Sequence, residues 1–243
     1  MNTRQQRILE ELICQIDTSI LPFEHCSLYA IGDTTIHSLS NSTEEISGKY
    51  FRSTDKGLTK WVLCLNVYLD GWENPYIFEI QQRADKFTIA SWGHYRHSSY
   101  ACCWDGPMGG FYRLGPYFFV ETCGRGSGFC AGEANILFFP LQRASIQADP
   151  PGIPVSWFQS GVAWPEYLNS RFTVKNDTIV VNYEYELDST IVLDRERDTF
   201  IPLEHYYFQA LFKAEPVAHR LQLINRNTIS QYKRAGILFD EFK

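Results

Sequence analysis

Residues 92–139 read WGHYRHSSYACCWDGPMGGFYRLGPYFFVETCGRGSGFCAGEANILFF and contain four of the seven cysteines and nine of the sixteen glycines. Glycines this close together would break any helix, and they alternate with dense aromatic residues, which favour strands. The Asp105-Gly106 pair is a turn signal. The stretch therefore predicts short strands joined by tight bends, at residues 100–104, 110–114, 117–122 and 134–141.

The sequence on the N-terminal side of this stretch continues the strand pattern. Residues 60–69 alternate with a period of two and stop at Asp70-Gly71, which is typical of a strand that ends in a turn. Residues 76–80 and 86–92 follow, separated by the polar QQRAD segment. Together these segments predict three antiparallel strands with short connections.

The C-terminal side contains the clearest hairpin of the chain. Residues 171–175 and 178–187 flank Asn176-Asp177, a pair that suits a tight turn. In the second segment Ile179, Val181, Tyr183 and Tyr185 share one face, and Val180, Asn182, Glu184 and Glu186 share the other. This alternation predicts one buried and one mostly solvated face.

Helices are expected only near the two ends. Residues 4–17 have a capping-box pattern and apolar residues at helical spacing, and a short helix is expected from Asn227 to Gly236. The predicted fold is α+β, mainly β, with roughly nine to twelve antiparallel strands in a meander or sandwich-like arrangement. We expect a single domain over 1–243, which the proline-rich connection 149–165 could subdivide.

Charge and composition limit the function. The net charge is -6 and no run of lysine or arginine could follow a phosphate backbone, which argues against nucleic acid as a partner. We find neither a signal-peptide pattern nor a long apolar segment, so we expect a soluble cytoplasmic protein that does not bind a membrane. Seven cysteines at irregular spacings favour reduced thiols.

Cys130 is a candidate nucleophile. The segment GSGFCAGEA around it resembles the entry into the nucleophile helix of transglutaminase-like and papain-like cysteine hydrolases. That resemblance implies a cysteine hydrolase in which His205, in the segment LEHYYF, acts as the base. The alternative interpretation is a small buried thiol in a strand.

A metal site is a second alternative. His94, His97, Cys123 and Cys130 include the donor types that zinc prefers. There is no C-x-x-C pair, and two histidines three residues apart point to opposite sides of a strand. We therefore predict no metal. We also predict no cofactor, because the G-x-G-x-x-A match ending at Ala131 lacks a surrounding βαβ unit.

No catalytic set of residues is complete, and the remaining hypothesis is protein binding. Exposed aromatic residues flanked by charge are typical of protein interfaces. We predict a non-catalytic protein that binds a protein partner, such as an immunity protein that covers a basic toxin. The predicted binding residues are Trp72, Trp104, Trp157, Trp164, Glu184 and Glu186.

Overall fold

The computed structural model describes most of the strand-forming part of the chain. The described residues are 28–31, 35–38, 45–55, 58–69, 72–84, 86–95, 111–126, 129–141, 145–146, 152–159, 165–194, 197–232 and 239–240. The chain divides into two compact units, with boundaries at positions 97/98, 138/139 and 147/148. Each unit contains one β-sheet.

The first unit contains a seven-stranded sheet. Six strands follow one another as antiparallel neighbours, and a short seventh strand pairs in parallel with the sixth. The strands are β1 (Leu28–Ile31), β2 (Thr35–Ser38), β3 (Glu45–Asp55), β4 (Leu58–Leu69), β5 (Trp72–Arg83), β6 (Lys86–Tyr95) and β10 (Ser145–Ile146). The predicted meander of three strands is confirmed as β4, β5 and β6.

The middle of this sheet is buried on both faces. In β4 the five consecutive residues from Trp61 to Leu65 are at most 6% exposed, and in β5 Tyr76, Ile77, Phe78 and Ile80 are similarly buried. Since neighbouring residues of a strand point to opposite faces, both faces must be covered. Both faces of β4 can be buried because its sequence is almost continuously apolar from Trp61 to Leu65.

The second unit contains an eight-stranded sheet in which all neighbours are antiparallel. Its strand order is β15-β14-β13-β12-β11-β9-β8-β7. The strands are β7 (Phe111–Leu114), β8 (Tyr117–Gly126), β9 (Phe129–Ile136), β11 (Ile153–Gln159), β12 (Glu166–Lys175), β13 (Thr178–Asp194), β14 (Arg197–Glu215) and β15 (Arg220–Leu223).

The hairpin of β12 and β13 forms as the sequence predicts. Asn176 and Asp177 both have positive φ angles, 48° and 60°, which is the conformation of a type I′ turn. Ile179, Val181, Tyr183 and Tyr185 are all at most 1% exposed, whereas Asn182 on the other face is exposed. Val180 is the exception on the solvated face, because only 6% of its surface is exposed.

The sheet of the second unit curls around its own core. The Phe119 ring of β8 contacts the Phe172 ring of β12 edge-on, with centroids 6.2 Å apart, although two strands lie between them in the sheet. At the same end, the Tyr117 hydroxyl donates a hydrogen bond to the Asp177 carbonyl at 2.9 Å. The aromatic and aliphatic side chains between them form one continuous hydrophobic core.

The fold-class prediction is confirmed as mainly β and antiparallel, with corrections in detail. The described residues contain fifteen strands, above the expected nine to twelve. The prediction that residues 149–165 form a connection is wrong in part. Ile153–Gln159 forms β11, which lies between β9 and β12 in the sheet. The backbone of β11 shifts register between Pro154 and Ser156, and this irregularity accommodates the proline in a sheet.

The helix predictions have different outcomes. The helix expected over residues 4–17 lies outside the described residues. The C-terminal helix, α1, comprises only Arg226–Ile229 and does not start at Asn227 or reach Gly236. Asn225, at its N-cap, instead bridges to β14: its side-chain oxygen accepts from the Leu211 amide at 2.9 Å, and its side-chain nitrogen donates to the Gln209 carbonyl at 2.6 Å.

Candidate binding face of strands β12 to β14

Polar side chains form three rows across the solvent side of β12, β13 and β14, three neighbouring strands of the second unit. The register places Tyr167 opposite Glu186 and Glu186 opposite His205, and the next rows follow at two-residue spacing. We call this set the outer face. It comprises Tyr167, Asn169 and Arg171 of β12, Asn182, Glu184 and Glu186 of β13, and His205, Tyr207 and Gln209 of β14.

A hydrogen-bonded group lies at the centre of the outer face. The Tyr207 hydroxyl donates to Glu184 Oε1 at 2.8 Å, and His205 Nε2 lies 3.0 Å from the same oxygen. The His205 and Tyr207 rings are inclined to each other, with centroids 5.1 Å apart. Two partners on one oxygen fix the position of the Glu184 carboxyl although 43% of its side chain is exposed.

The electrostatics of this group favour an ionised carboxylate. The hydrogen bonds from Tyr207 and His205 hold the pKa of Glu184 below its ordinary value, and the charge of Arg171 acts in the same direction. The same hydrogen bond to Glu184 raises the pKa of Tyr207, because it stabilises the protonated phenol. At neutral pH the Glu184 carboxyl is therefore ionised and the Tyr207 phenol beside it is protonated.

Two large side chains with apolar surface are exposed on β14. Tyr207 is 67% exposed and Leu203, on the same strand, is 53% exposed. In the third row the Gln209 side chain donates to Asn182 at 2.8 Å, which orders the polar border. An exposed aromatic residue within an ordered polar surface is the arrangement that protein interfaces use.

The strand segments that carry the outer face contain more acidic than basic residues. The paired segments 165–171, 182–188 and 202–209 contain five carboxyl residues but only one arginine, Arg171, and no lysine. The five are Glu166, Glu184, Glu186, Asp188 and Glu204. Only Glu184 and Glu186 belong to the outer face, because Glu166 and Glu204 pair with the core residue Leu187 and Asp188 is buried. The local excess of negative charge thus has the same sign as the net charge of the whole chain, -6.

The structure brings only part of the predicted binding set to this face. Glu184 and Glu186 lie two residues apart on it. Trp157 of β11 is half-buried and packs against the core of the second unit. Trp72 begins β5 in the first unit, but its side chain lies outside the described residues, as do Trp104 and Trp164.

The surroundings of Cys130 do not favour the catalytic alternative. This residue lies in β9, not at the start of a helix, and it is 5% exposed. Its sulfur is disulfide-bonded, so it has no thiolate to act as a nucleophile. The expectation of reduced thiols is consequently wrong for Cys130 and confirmed for Cys64, which is a buried thiol. His205, the predicted base, pairs instead with Glu184 on the outer face.

The zinc alternative gains no support from the described residues. His94 lies in β6 of the first unit, where its ring stacks on Tyr76 at a centroid distance of 4.2 Å. Cys123 and Cys130 belong to β8 and β9 of the second unit, and His97 lies outside the described residues. Within the described part of the chain, no three His, Cys, Asp or Glu side chains are grouped to hold a metal ion.

Sequence reasoning missed Tyr167, Asp188, Tyr207 and the position of His205 beside Glu184. The alternation in 178–187 identifies Glu184 and Glu186, but it does not identify their cross-strand neighbours. Those depend on the register of β13 with β14, which pairs Glu184 with Tyr207 and Glu186 with His205. The sequence of residues 200–213 is typical of a strand, but nothing in it fixes where its pairing with β13 begins.

Comparison with known proteins identifies no relative. No protein-family profile matches the chain, and searches of curated proteins and of solved structures find no significant match. Among the described residues, no helix is long and apolar enough to cross a membrane.

Proposed function

We propose that this protein is a non-catalytic protein-binding protein of the immunity type, which neutralises a basic toxin by covering it with the outer face of β12–β14. The partner is a protein, and neither nucleic acid nor a membrane is part of the proposal. The binding requires no metal or cofactor.

The observation that carries the proposal is the ordered carboxylate of Glu184 beside the exposed ring of Tyr207. Tyr207 and His205 both contact one oxygen of Glu184, so the carboxylate is positioned before a partner arrives. A positioned group loses little side-chain entropy on binding. The exposed tyrosine supplies the apolar contact area that dominates most interfaces.

Charge favours a basic partner. The outer face has two carboxyl residues, Glu184 and Glu186, and one arginine, Arg171, and the chain as a whole has a net charge of -6. Opposite charges across an interface raise the association rate and disfavour acidic partners. An inhibitor of an enzyme with a basic substrate cleft would use such a negative surface to bind quickly and selectively.

The outer face is smaller than a complete protein–protein interface. Three strands and three rows cover roughly 10 by 14 Å, from typical strand and residue spacings. A stable interface buries roughly 800 Å² on each partner. The outer face is therefore the centre of the proposed interface, and Leu203 extends it along β14.

A cytoplasmic location belongs to this proposal, and the disulfide of Cys130 weighs against it. Disulfides persist in oxidising compartments and are rare in the cytosol. The location is therefore tested by the oxidation state of Cys130 in protein taken directly from cells.

The function is tested by affinity capture from the native host with three forms of the full chain. The wild type is compared with Glu184→Arg/Tyr207→Asp, which reverses the central charge and removes the exposed ring. The matched control is Thr88→Arg/Ala90→Asp, at two exposed positions of β6 in the first unit. We expect the wild type and the control to retain one stoichiometric basic protein, and the outer-face variant to lose it.

Two further readouts connect capture to neutralisation. Raising the salt concentration from about 0.05 to about 0.5 M should release the partner, because salt screens the attraction between exposed charges. Expression of the captured protein alone should arrest growth, and co-expression with the wild type should restore it. Equal retention by the outer-face variant, or no stoichiometric partner at all, contradicts the proposal.

A further inference from the structure

Strand β14 is covered on one side along nearly its whole length and on the other side only at its end. On the first side β13 pairs with residues 197–213. On the second side β15 pairs only with residues 212–215. Among the described residues, no strand lies beside the remainder of that second side. We call this side of residues 203–209 the open edge.

The end of β15 shows what the open edge can bind. The Ile224 amide donates to the Leu211 carbonyl at 2.7 Å, as the last backbone contact between the two strands. The side-chain amide of Asn225 then takes the place of the next peptide group. It accepts from the Leu211 amide at 2.9 Å and donates to the Gln209 carbonyl at 2.6 Å. The backbone groups of Leu211 and Gln209 therefore point away from β13.

The regular register of β14 extends this direction to His205 and Tyr207. The pairing of β13 with β14 is uninterrupted from Glu204 to Lys213, and backbone groups alternate between the two sides of a strand with a period of two. The N–H and C=O groups of His205 and Tyr207 thus point the same way as those of Gln209. Such a row of backbone groups is a template for a further strand.

The two outermost strands of this sheet are protected in the usual way. β7 and β15 are only four residues long, and each contains an arginine, Arg113 and Arg220. Short edge strands with charged residues disfavour pairing with another chain. The open edge is longer, and two large side chains are exposed on it, Leu203 at 53% and Tyr207 at 67%.

We propose that the open edge pairs with the open edge of a second copy of this chain, antiparallel and about a twofold axis. The register that uses the two regular residues places His205 opposite Tyr207 of the second copy, and Tyr207 opposite His205 of the second copy. Each such pair exchanges two backbone hydrogen bonds. The single carboxyl of the segment, Glu204, then lies opposite Phe208 of the second copy and not opposite another acid.

Charge favours a second copy over a basic partner at this edge. Copies with a net charge of -6 repel each other, so they meet most easily where the surface is locally uncharged. On the outer face the open edge has no lysine, arginine or carboxylate. Glu184 and Glu186 lie one strand away, so those of two paired copies stay about 14 Å apart, beyond the Debye length of about 8 Å. A basic partner would instead be attracted to these two carboxyls.

The contact between two open edges is small. Residues 203–209 span roughly 24 Å along one strand, at about 3.4 Å per residue. A stable interface buries about 800 Å² on each partner, and a single pair of strands buries less. We therefore expect a weak dimer that forms as the concentration rises. This dimer does not depend on the proposed function, because it requires no toxin.

The first test measures self-association of the full chain, treated with iodoacetamide so that exposed thiols cannot link two copies. In sedimentation velocity from low micromolar to submillimolar concentration, we expect the mass to rise from that of one chain towards that of two. Hydrogen exchange at the same concentrations locates the contact. The His205 and Tyr207 amides should slow only in the dimer, whereas the Tyr206 and Phe208 amides, which face β13, should be slow throughout.

Two variants then test the edge itself. Tyr207→Lys places like charges across the twofold axis and should weaken the dimer at least tenfold. Thr173→Lys adds the same charge at an exposed position of β12, two strands from the edge, and should change the affinity less than twofold. His205→Pro removes an edge amide that β13 does not use and should abolish the dimer, with circular dichroism confirming that the strands remain.

Three results would overturn the proposed dimer. They are a wild type that stays monomeric at submillimolar concentration, a dimer that Tyr207→Lys leaves unchanged, and a dimer without slowed exchange at His205 and Tyr207. None of these results affects the immunity function, which affinity capture tests separately. Failure to capture a toxin likewise leaves the dimer unaffected.

Discussion

The Tyr183 hydroxyl donates a 2.7 Å hydrogen bond to the carbonyl of Pro154, across the whole width of β12. Tyr183 is 1% exposed and also stacks on Phe208 with centroids 5.0 Å apart. Burial raises the pKa of the Tyr183 phenol well above its ordinary value, so the hydroxyl remains a donor at any physiological pH. This contact connects the irregular part of β11 to the centre of the core.

Replacing Tyr183 by phenylalanine tests that contact. The ring packing would remain, but the Pro154 carbonyl would lose its donor in a buried site, so we expect the free energy of unfolding to fall by about 1–3 kcal/mol. Urea unfolding followed by circular dichroism measures the change. Tyr207→Phe, at an exposed position, is the control and should change stability by less than about 0.5 kcal/mol. An equal effect at both positions would show that the Pro154 contact is unimportant.

A second prediction concerns Ser91 in the first unit. Its hydroxyl donates to the buried Glu79 carboxyl at 2.7 Å and accepts from the Leu141 amide at 2.9 Å. Ser91→Ala leaves both groups without this partner, and we expect a loss of about 2 kcal/mol or more. Thr88→Ala, which removes a 3.5 Å contact on the exposed part of the same strand, is the control. Hydrogen exchange at the Leu141 amide should accelerate only in Ser91→Ala.

A third prediction concerns the titration of Glu184. Because its pKa in the folded protein is lowered, the folded state binds fewer protons than the unfolded state, and this stabilisation is lost as pH falls through the folded-state pKa. In Tyr207→Phe the first cause of the shift is removed, so the midpoint of Glu184 should rise towards its ordinary value. Carbon-13 NMR of the side-chain carboxyl measures both midpoints. An unchanged midpoint would exclude the Tyr207 hydrogen bond as the cause.

A fourth prediction concerns the reactivity of cysteine. Because the Cys130 sulfur is disulfide-bonded, iodoacetamide should not label it in the folded, non-reduced protein, and labelling should appear only after reduction. Cys64 should label only on unfolding, since it is 1% exposed. Mass spectrometry of acid-quenched protein from host cells gives the oxidation state of Cys130 in the cell. Rapid labelling of Cys130 without reductant would restore the hydrolase hypothesis.

The β12–β13 hairpin could be predicted because the residues that specify it are close together in sequence. The Asn176-Asp177 turn and the alternation after it fix both the bend and the buried face, and the structure agrees in both respects. The strand β11 was not predictable in the same way. Three prolines and a glycine at residues 150–154 indicate an irregular connection, whereas the pairing of β11 with β9 and β12 depends on residues distant in sequence.

The outer face was predictable only in part, for a related reason. Glu184 and Glu186 follow from the alternation of one strand, but Tyr207 and His205 become their neighbours only through the register with β14. The disulfide of Cys130 could not be predicted from the amino-acid composition either, because it depends on which sulfur atoms the fold brings together. An odd cysteine count is compatible with one disulfide and several thiols.

The curl of the eight-stranded sheet has a consequence for the shape of any complex. Phe119 and Phe172 meet on the inside of the curve, so the outer face of β12–β14 lies on its convex side. A convex surface can enter the cleft of another protein, but it cannot enclose a protruding loop. We therefore expect the proposed partner to have a recessed site, whose entrance Tyr207 and Glu184 would close.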